Sequence, residues 1–263
     1  MERATSSPRA EASRALGWWR GAVADRDPQG LGRLLVAGSA NIGGAVADRW
    51  RRPRRWCPCC DRSVGDFLWV ANHLRLSRHA VCPGCGSRSR HRGLALAVDR
   101  VAGPATRRVL HFAPEAPLAP VIARVAASAE VVTTDLHRRD VDRPGEDIQA
   151  LTFADGEFDV VVCNHVLEHV VDDRTAVAEV ARVTAPGGVA VISVPGDWSR
   201  PDTLRFAEPD GNGHHRDYGA DVVDLLHTAF STVEVVELGT LATRGLPGDP
   251  GLRPDDRLFL CSP

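Results

Sequence analysis

Residues 157–170 of the chain read EFDVVVCNHVLEHV. The first part is a short run rich in β-branched residues, which predicts a strand at about 157–163. Asn164 and His165 follow at the carboxyl end of that strand, where open α/β sheets bind their ligands. The stretch therefore predicts an α/β fold with a site directly after this strand.

Similar runs alternate with helical patterns on both sides, which indicates βαβ units and a parallel sheet. Strands are predicted at about 108–112, 130–135, 148–151, 157–163, 188–194, 232–238 and 257–261. Helices are predicted at about 117–127, 173–183 and 219–229, with another beginning after Asn164.

The chain has 263 residues, of which 43% are hydrophobic, so it can bury a full core. It contains no lysine, which excludes a Schiff base, a Walker-type phosphate loop and the ATP-pairing lysine of protein kinases. Neither a membrane span nor a secretory signal is recognisable, and we expect a cytoplasmic protein.

Charge divides the chain into modules. Residues 1–100 hold 18 arginines against 8 acidic residues, although the whole chain has a net charge of −2. We expect a helical and basic extension at 1–56, a zinc ribbon at 57–100 and the α/β domain at 101–263. Within the extension, GSANIGG at 38–44 predicts a break.

Two C-x2-C pairs mark the ribbon. Cys57 and Cys60 form the first pair, and Cys82 and Cys85 form the second after 21 intervening residues. Two such turns can place four thiolates around a tetrahedral, structural Zn²⁺. Cys59 could replace either neighbour or be a spare thiol. Two further cysteines fall in or at the end of predicted strands and are expected in the core, namely Cys163 and Cys261.

The basic segment GSRSRHR at 86–92 follows the second pair. It could hold a phosphate, a carboxylate or an RNA backbone, or it could be a solvated rim, and both interpretations stay open.

Four segments in order resemble the signature segments of class I S-adenosylmethionine-dependent methyltransferases. They are VLHFAPE (109–115), VVTTDL (131–136), residues 146–170, and EVARVTAPGGVAVISVP (179–195). With the ribbon, HFAPE and HHRDYG (214–219), the chain resembles a bacterial subgroup of that family. The resemblance implies a Rossmann-like, seven-stranded class I methyltransferase sheet with a small N-terminal zinc-ribbon module.

The resemblance also implies a cofactor site for S-adenosyl-L-methionine. Asp135 closes the second strand, where a carboxylate can accept both hydrogen bonds of a ribose diol. In the first loop, an acid is usually found where His111 stands and glycines where Ala113 and Glu115 stand, and Glu115 is the candidate for the methionyl ammonium. The expected cofactor-binding residues are His111, Ala113, Glu115, Asp135, Leu136, Asp147, Ile148, Asn164 and His165.

HVLEH at 165–169 matches the inverted zinc-protease spacing, but it follows a strand at methyltransferase spacing, which argues against a protease. Some methyltransferases of this class hold a divalent metal through Glu-x-x-Glu-His and a later histidine. Here His165 stands in place of the first Glu, and His214 or His215 could be the later ligand. A helix-packing role for residues 167–169 also stays open.

The insertion at 206–219, FAEPDGNGHHRDYG, lies where this fold usually carries a substrate lid. The catalytic candidates are His165, at the end of the fourth strand, and His214 and His215 in the insertion, since a histidine could take a proton from the acceptor. Arg216 and Tyr218 are the candidates for substrate contact. If the insertion has no such role, it is a capping loop.

We therefore expect a methyltransferase that acts on a hydroxyl or amine of a small molecule or glycan. Two alternatives stay open: an RNA methyltransferase that uses the basic ribbon to bind substrate, and a non-catalytic zinc-ribbon protein with a degenerate methyltransferase domain.

Overall fold

The computed structural model describes residues 27–47, 53–71, 76–241 and 245–263. They form two compact units. The first contains the described residues up to Arg92 together with 116–121 and 245–253, and the second contains 93–115, 122–241 and 254–263. No helix in the described ranges is long and apolar enough to span a membrane.

The first unit consists of one long helix and two antiparallel hairpins. The helix is α1 (Pro28–Ala47), and the hairpins are β1 (Arg55–Cys57) with β2 (Arg62–Val64) and β3 (Leu68–Ala71) with β4 (Leu76–Val81). Each hairpin supplies one cysteine pair, because Cys57 ends β1 and Cys82 directly follows β4.

The break predicted at 38–44 is wrong, since α1 continues through it. Asn41 holds this part of the helix to β3: its Oδ1 accepts from the backbone N–H of Trp69 at 2.7 Å, and its amide donates to the Trp69 carbonyl at 2.9 Å. Leu34 and Ala37 are buried with Ala71. These tertiary contacts offset the cost of glycine in a helix, which is about 1 kcal/mol per residue.

The second unit is built on a seven-stranded sheet of order β12-β13-β9-β8-β5-β6-β7. Its strands are β5 (Arg108–Phe112), β6 (Glu130–Asp135), β7 (Arg143–Pro144), β8 (Phe158–Asn164), β9 (Thr184–Ser193), β12 (Thr232–Glu237) and β13 (Arg257–Ser262). The strands from β5 to β9 pair in parallel, and β13 is antiparallel to both neighbours. This is the Rossmann-like sheet of class I methyltransferases, as expected.

The remaining elements are α2 (Ser89–Val101), α3 (Ala119–Val125), α4 (Asp173–Val183), α5 (Val222–His227) and the short pair β10 (Leu204–Arg205) with β11 (Arg216–Asp217). Helix α4 has the predicted bounds. The Asp172 side chain accepts from the backbone N–H of Thr175 at 3.1 Å and caps the helix. Apolar residues of α4 join the main core, which also contains Cys163 and Cys261 as predicted.

Two predicted elements of the sheet domain are wrong. The third strand is β7, not 148–151, where the backbone instead forms a turn with Ala150 N–H donating to the Asp147 carbonyl at 2.8 Å. No α-helix begins directly after Asn164, since the next one, α4, begins at Asp173. His165 has a left-handed φ of 53°, which an α-helix does not accommodate, and only the 3-10 turn Leu167–His169 follows.

Candidate active site

The loop after β5 adopts a conformation that usually requires glycine. Ala113 has a φ of 43°, and its N–H donates to the Thr134 carbonyl at 2.8 Å. A left-handed alanine costs about 1–2 kcal/mol. The Pro114 carbonyl accepts from Nη1 of Arg138 at 2.7 Å, so the loop after β6 supports the loop after β5.

A chain of side-chain hydrogen bonds joins the carboxyl ends of three neighbouring strands. The Ser193 hydroxyl, at the end of β9, donates to the Asn164 amide oxygen at the end of β8. The Asn164 amide nitrogen donates to the Glu115 carboxylate in the loop after β5. Asn164 is buried, so its orientation is set by these partners. These hydrogen bonds hold the Glu115 carboxylate at the carboxyl ends of the strands, where the predicted site lies.

His111 points from β5 into the interior and is almost completely buried. Burial lowers the pKa of His111 to about 4, a shift that Glu115 opposes and Arg138 reinforces. The imidazole is therefore neutral at neutral pH. Among the described residues, its Nε2 has no hydrogen-bond partner.

Asp135 ends β6 and organises the next loop. Its Oδ1 accepts from the backbone N–H groups of His137 at 2.8 Å and Arg138 at 2.9 Å. Because both bonds fall on Oδ1, Oδ2 is the oxygen suited to a ribose hydroxyl. The apolar side chain of Leu136 is exposed beside it.

Asp147 and Ile148 lie in the turn that replaces the predicted third strand. Oδ1 of Asp147 accepts from the backbone N–H of Gln149 at 2.9 Å and from its amide at 3.2 Å. Ile148 is buried and belongs to the main core, so its side chain forms part of the floor under this turn.

Two histidines of the segment after β8 and one of the insertion lie near a single carboxylate. Glu168 is fully buried, and Nδ1 of His165 lies 3.0 Å from its Oε1, although not with hydrogen-bond geometry. The rings of His169 and His214 meet edge to face with centroids 4.8 Å apart. His215 is held through its backbone, since its N–H donates to the Glu168 carbonyl at 2.8 Å.

Arg216 and Tyr218 are in the interior, a placement that differs from the substrate contact expected for them. Arg216 donates to the carbonyls of Leu167 at 2.7 Å and Val171 at 2.8 Å, and its Nε lies 3.3 Å from the Asp173 carboxylate. The Tyr218 hydroxyl lies 3.3 Å from the same carboxylate, and burial raises the pKa of Tyr218. Both side chains fasten the insertion to the segment after β8.

Two residues that organise this site were missed from the sequence. Ser193 had a usable signal, because it ends the apolar run of β9 just as Asn164 ends β8. Arg138 had none, since it is one of two adjacent arginines in a loop and nothing local distinguishes it from Arg139.

The first unit contains the predicted cysteine cluster. The Sγ atoms of four cysteines lie within 4.8 Å of one another, namely Cys57, Cys60, Cys82 and Cys85. The separations of 3.7 Å for Cys57 to Cys85 and 3.9 Å for Cys60 to Cys82 match the edges of about 3.8 Å that a tetrahedron with 2.3 Å zinc–sulfur bonds has. Cys59 is buried but is not one of the four.

Hydrogen-bond donors surround these sulfurs. The Ser87 hydroxyl lies 3.1 Å from Sγ of Cys57, and the Gly84 N–H donates to Sγ of Cys82 at 3.4 Å. Such donors are typical around metal-bound thiolates. The residues present therefore fit a tetrahedral ion.

Comparisons of the sequence with known proteins match the sheet domain to methyltransferases. Residues 109–192 match the family model described as "Methyltransferase domain". A demethylmenaquinone methyltransferase of Mycolicibacterium vanbaalenii is 34% identical over 130 residues, covering 43% of this chain and 56% of that protein. A second demethylmenaquinone methyltransferase, from Mycobacterium sp. strain KMS, is 40% identical over 70 residues, which cover 27% of this chain and 29% of that protein. The chain thus spans about half the length, or less, of these curated relatives.

Solved structures with a similar chain course include YcgJ of Bacillus subtilis, with 18% identity, a TM-score of 0.44, and coverage of 56% of this chain and 70% of that one. A Haloferax volcanii complex of the Trm112 methyltransferase activator and a putative methyltransferase matches with 16% identity, a TM-score of 0.45, and coverage of 66% and 90%. Residues 109–192 are thus similar to methyltransferase domains, and the sheet order of the second unit is that of the Rossmann-like class I methyltransferase fold.

Proposed function

We propose that this protein transfers a methyl group from S-adenosyl-L-methionine to a small-molecule acceptor. The observation that carries the proposal is the convergence of Glu115, Asn164 and Ser193 at the carboxyl ends of adjacent parallel strands. Asp135 ends the next strand of the same sheet. Ligands of open α/β sheets bind at the carboxyl ends of the strands.

Each cofactor-site residue is assigned one part of S-adenosylmethionine. Glu115 accepts hydrogen bonds from the methionyl ammonium, with Asn164 holding the carboxylate in place. Oδ2 of Asp135 accepts from the ribose hydroxyls. Around the base, Asp147 accepts from the adenine amine, and Ile148 with Leu136 provides apolar contact. Ala113 and His165 give the backbone of the two loops that flank the methionine part.

The neutral state of His111 suits this assignment. A protonated imidazole would repel the ammonium and the sulfonium of the cofactor, whereas a neutral one next to Glu115 leaves a single negative charge to attract them. The low pKa of His111 therefore keeps the site complementary to a cation at neutral pH.

When bound, S-adenosylmethionine would supply a methyl carbon on a sulfonium, open to in-line attack by the acceptor, with S-adenosylhomocysteine as the leaving group. The protein then has to orient the acceptor and accept its proton. His165 is the first candidate base, because Nδ1 faces the Glu168 carboxylate and Nε2 is left for the acceptor. His214 and His215 are the other candidates, from the insertion.

A small-molecule acceptor is supported by the names of the relatives, whose acceptor, demethylmenaquinone, is a small molecule. A glycan acceptor belongs to the same proposal. An RNA acceptor would make binding fall steeply with salt, because each phosphate contact releases counterions, whereas a neutral small molecule would bind almost independently of salt.

We also propose that Cys57, Cys60, Cys82 and Cys85 hold a structural Zn²⁺. Thiolates fill all four coordination positions, so none is left for a substrate, and the role of the ion is to stabilise the first unit. The test is the zinc content of the protein after a mild chelator has removed weakly held ions: one ion per chain is expected, and Cys82→Ser should abolish it. Cys163→Ala is the matched control, since that cysteine belongs to the core and should not change the zinc content.

Calorimetry with S-adenosylmethionine and S-adenosylhomocysteine tests the enzymatic proposal. Both should bind, and Glu115→Gln should weaken both. The control is Glu130→Gln, which removes only an exposed surface ion pair with Arg108. If the wild type bound neither ligand up to about 1 mM, the chain would instead be a non-catalytic protein with a degenerate domain.

A further inference from the structure

Glu168, at the centre of the 3-10 turn, has a carboxylate that is fully buried. Within the described residues, neither of its oxygens accepts a hydrogen bond. A buried carboxylate without donors costs several kcal/mol, so such groups are normally paired with a cation. Glu168 therefore needs a positive partner that the protein side chains around it do not fully supply.

Two histidines face this carboxylate. Nε2 of His169 lies 4.0 Å from Oε1 of Glu168. One ligand atom each from Glu168, His169 and His214 lies within 4.8 Å of the others. Metal–nitrogen and metal–oxygen bonds of about 2.0–2.2 Å place ligand atoms about 3–4 Å apart, so the 4.0 Å between Glu168 and His169 is at the upper end of that range, and the 4.8 Å limit on the group requires a small side-chain movement to share one ion.

Each imidazole also has an acceptor oxygen near its Nδ1. Nδ1 of His169 lies 3.2 Å from the carbonyl oxygen of Gly213, to which it can donate. Nδ1 of His214 lies 3.6 Å from Oδ2 of Asp210. A backbone carbonyl and a carboxylate are the usual outer partners that fix the tautomer and the orientation of a metal-binding histidine.

We propose that Glu168, His169 and His214 form a second metal site, for a divalent first-row transition ion such as Zn²⁺. Two imidazoles and one carboxylate favour such an ion over Mg²⁺ or Ca²⁺, which prefer oxygen ligands throughout. The side chains of His169 and His214 are 44% and 22% exposed, so an ion between them can be reached from solvent.

The ligand set differs from the one left open by the sequence. His165 is outside the group of three and contacts Glu168 separately, and the later histidine is His214, not His215. The backbone explains this choice, because the His215 N–H is bonded to the Glu168 carbonyl while the loop around Gly213 turns His214 towards His169.

Three protein ligands leave coordination positions open, which is the arrangement of reactive metal sites and contrasts with the closed four-thiolate cluster. An ion here could bind an acceptor hydroxyl and lower its pKa. That second step rests on the proposed methyl transfer, whereas ion binding itself does not.

The test is a calorimetric titration of the 263-residue chain with Zn²⁺, after a mild chelator has removed weakly held ions and elemental analysis has measured the zinc that remains. The wild type should bind one Zn²⁺ per chain beyond the ion of the four cysteines. His214→Ala and Glu168→Gln should each weaken this binding by at least 10-fold to 100-fold, since loss of outer partners alone has effects of that size. His215→Ala is the matched control and should bind as the wild type does.

Co²⁺ provides a second readout, because its absorption at this site should lack the thiolate charge-transfer band that a cysteine site gives. The site is refuted if the wild type binds no additional ion, or if His214→Ala binds it as tightly as the wild type. His214→Ala decides the matter if Glu168→Gln fails to fold. S-adenosylhomocysteine affinity, measured on the same samples, separates failure of this site from failure of the methyltransferase assignment.

Discussion

Asp135→Asn provides the sharpest test of the cofactor site. The amide oxygen of asparagine can still accept from the N–H groups of His137 and Arg138, so the turn after β6 is kept. Only Oδ2 changes, from a charged acceptor to an amide donor that faces the ribose hydroxyls. One charge-assisted hydrogen bond is worth about 1.5–3 kcal/mol, which corresponds to roughly 10-fold to 150-fold weaker binding. Alanine would be less informative, because it would also remove the partners of both backbone groups.

The assay is calorimetric titration with S-adenosylhomocysteine, which binds without turnover. Asp140→Asn is the control: it lies in the same loop, its side chain is exposed, and it pairs with Arg138 rather than with the proposed ligand. The ribose assignment is wrong if Asp135→Asn binds as tightly as the wild type while both proteins unfold at the same temperature.

Three further predictions concern stability. Burial lowers the pKa of His111 from 6.5 to about 4, so between these pH values protons bind the unfolded chain in preference to the folded one. The contribution of neutral His111 to the free energy of unfolding is therefore complete above about pH 6.5 and is lost as the pH falls towards 4. The wild type should lose about 2 kcal/mol more of its free energy of unfolding than His111→Gln does between pH 7 and pH 5, as measured by urea unfolding. An equal pH dependence of the unfolding free energy in the two proteins would contradict this. The Arg92 guanidinium lies 4.0 Å from the centre of the Phe67 ring and donates to four backbone carbonyls. Arg92→Lys should therefore destabilise the first unit by about 1–3 kcal/mol in denaturant unfolding followed by tryptophan fluorescence. An unchanged unfolding midpoint would refute this prediction. A Cβ at Gly188 would lie 2.8 and 2.9 Å from two backbone oxygens, whereas Gly187 has open space but a φ of 82°. Gly187→Ala should cost about 1–2 kcal/mol and Gly188→Ala more, and equal thermal shifts would count against this reasoning.

The sheet domain could be predicted largely from sequence, because its central strands are short apolar runs and α4 has a clear cap and periodicity. Strand β7 could not, since Arg143 and Pro144 have no strand pattern and pair only with the end of β6. The turn at His165 was equally hidden, because a left-handed conformation in a residue other than glycine is selected by its surroundings.

Within the candidate site, the sequence identified individual residues better than their contacts. Glu115 is predicted to bind the methionyl ammonium and Asn164 to bind the cofactor, but their hydrogen bond depends on how the strands pair. The sequence predicts substrate contact for Arg216, but its side chain is buried, and arginine is rarely buried without partners. Asp173 and two backbone carbonyls provide those partners, and none of them is close to Arg216 in the sequence.

The position of β13 also constrains how the protein is made. β13 lies between β9 and β12, so β9 leaves the ribosome well before the strand that covers its edge has been synthesised. During that interval the nascent chain presents an apolar, unpaired strand edge, the kind of surface that invites association with other chains. Chaperone binding in this window, or rapid translation of the segment between the two strands, would be the natural protection against aggregation.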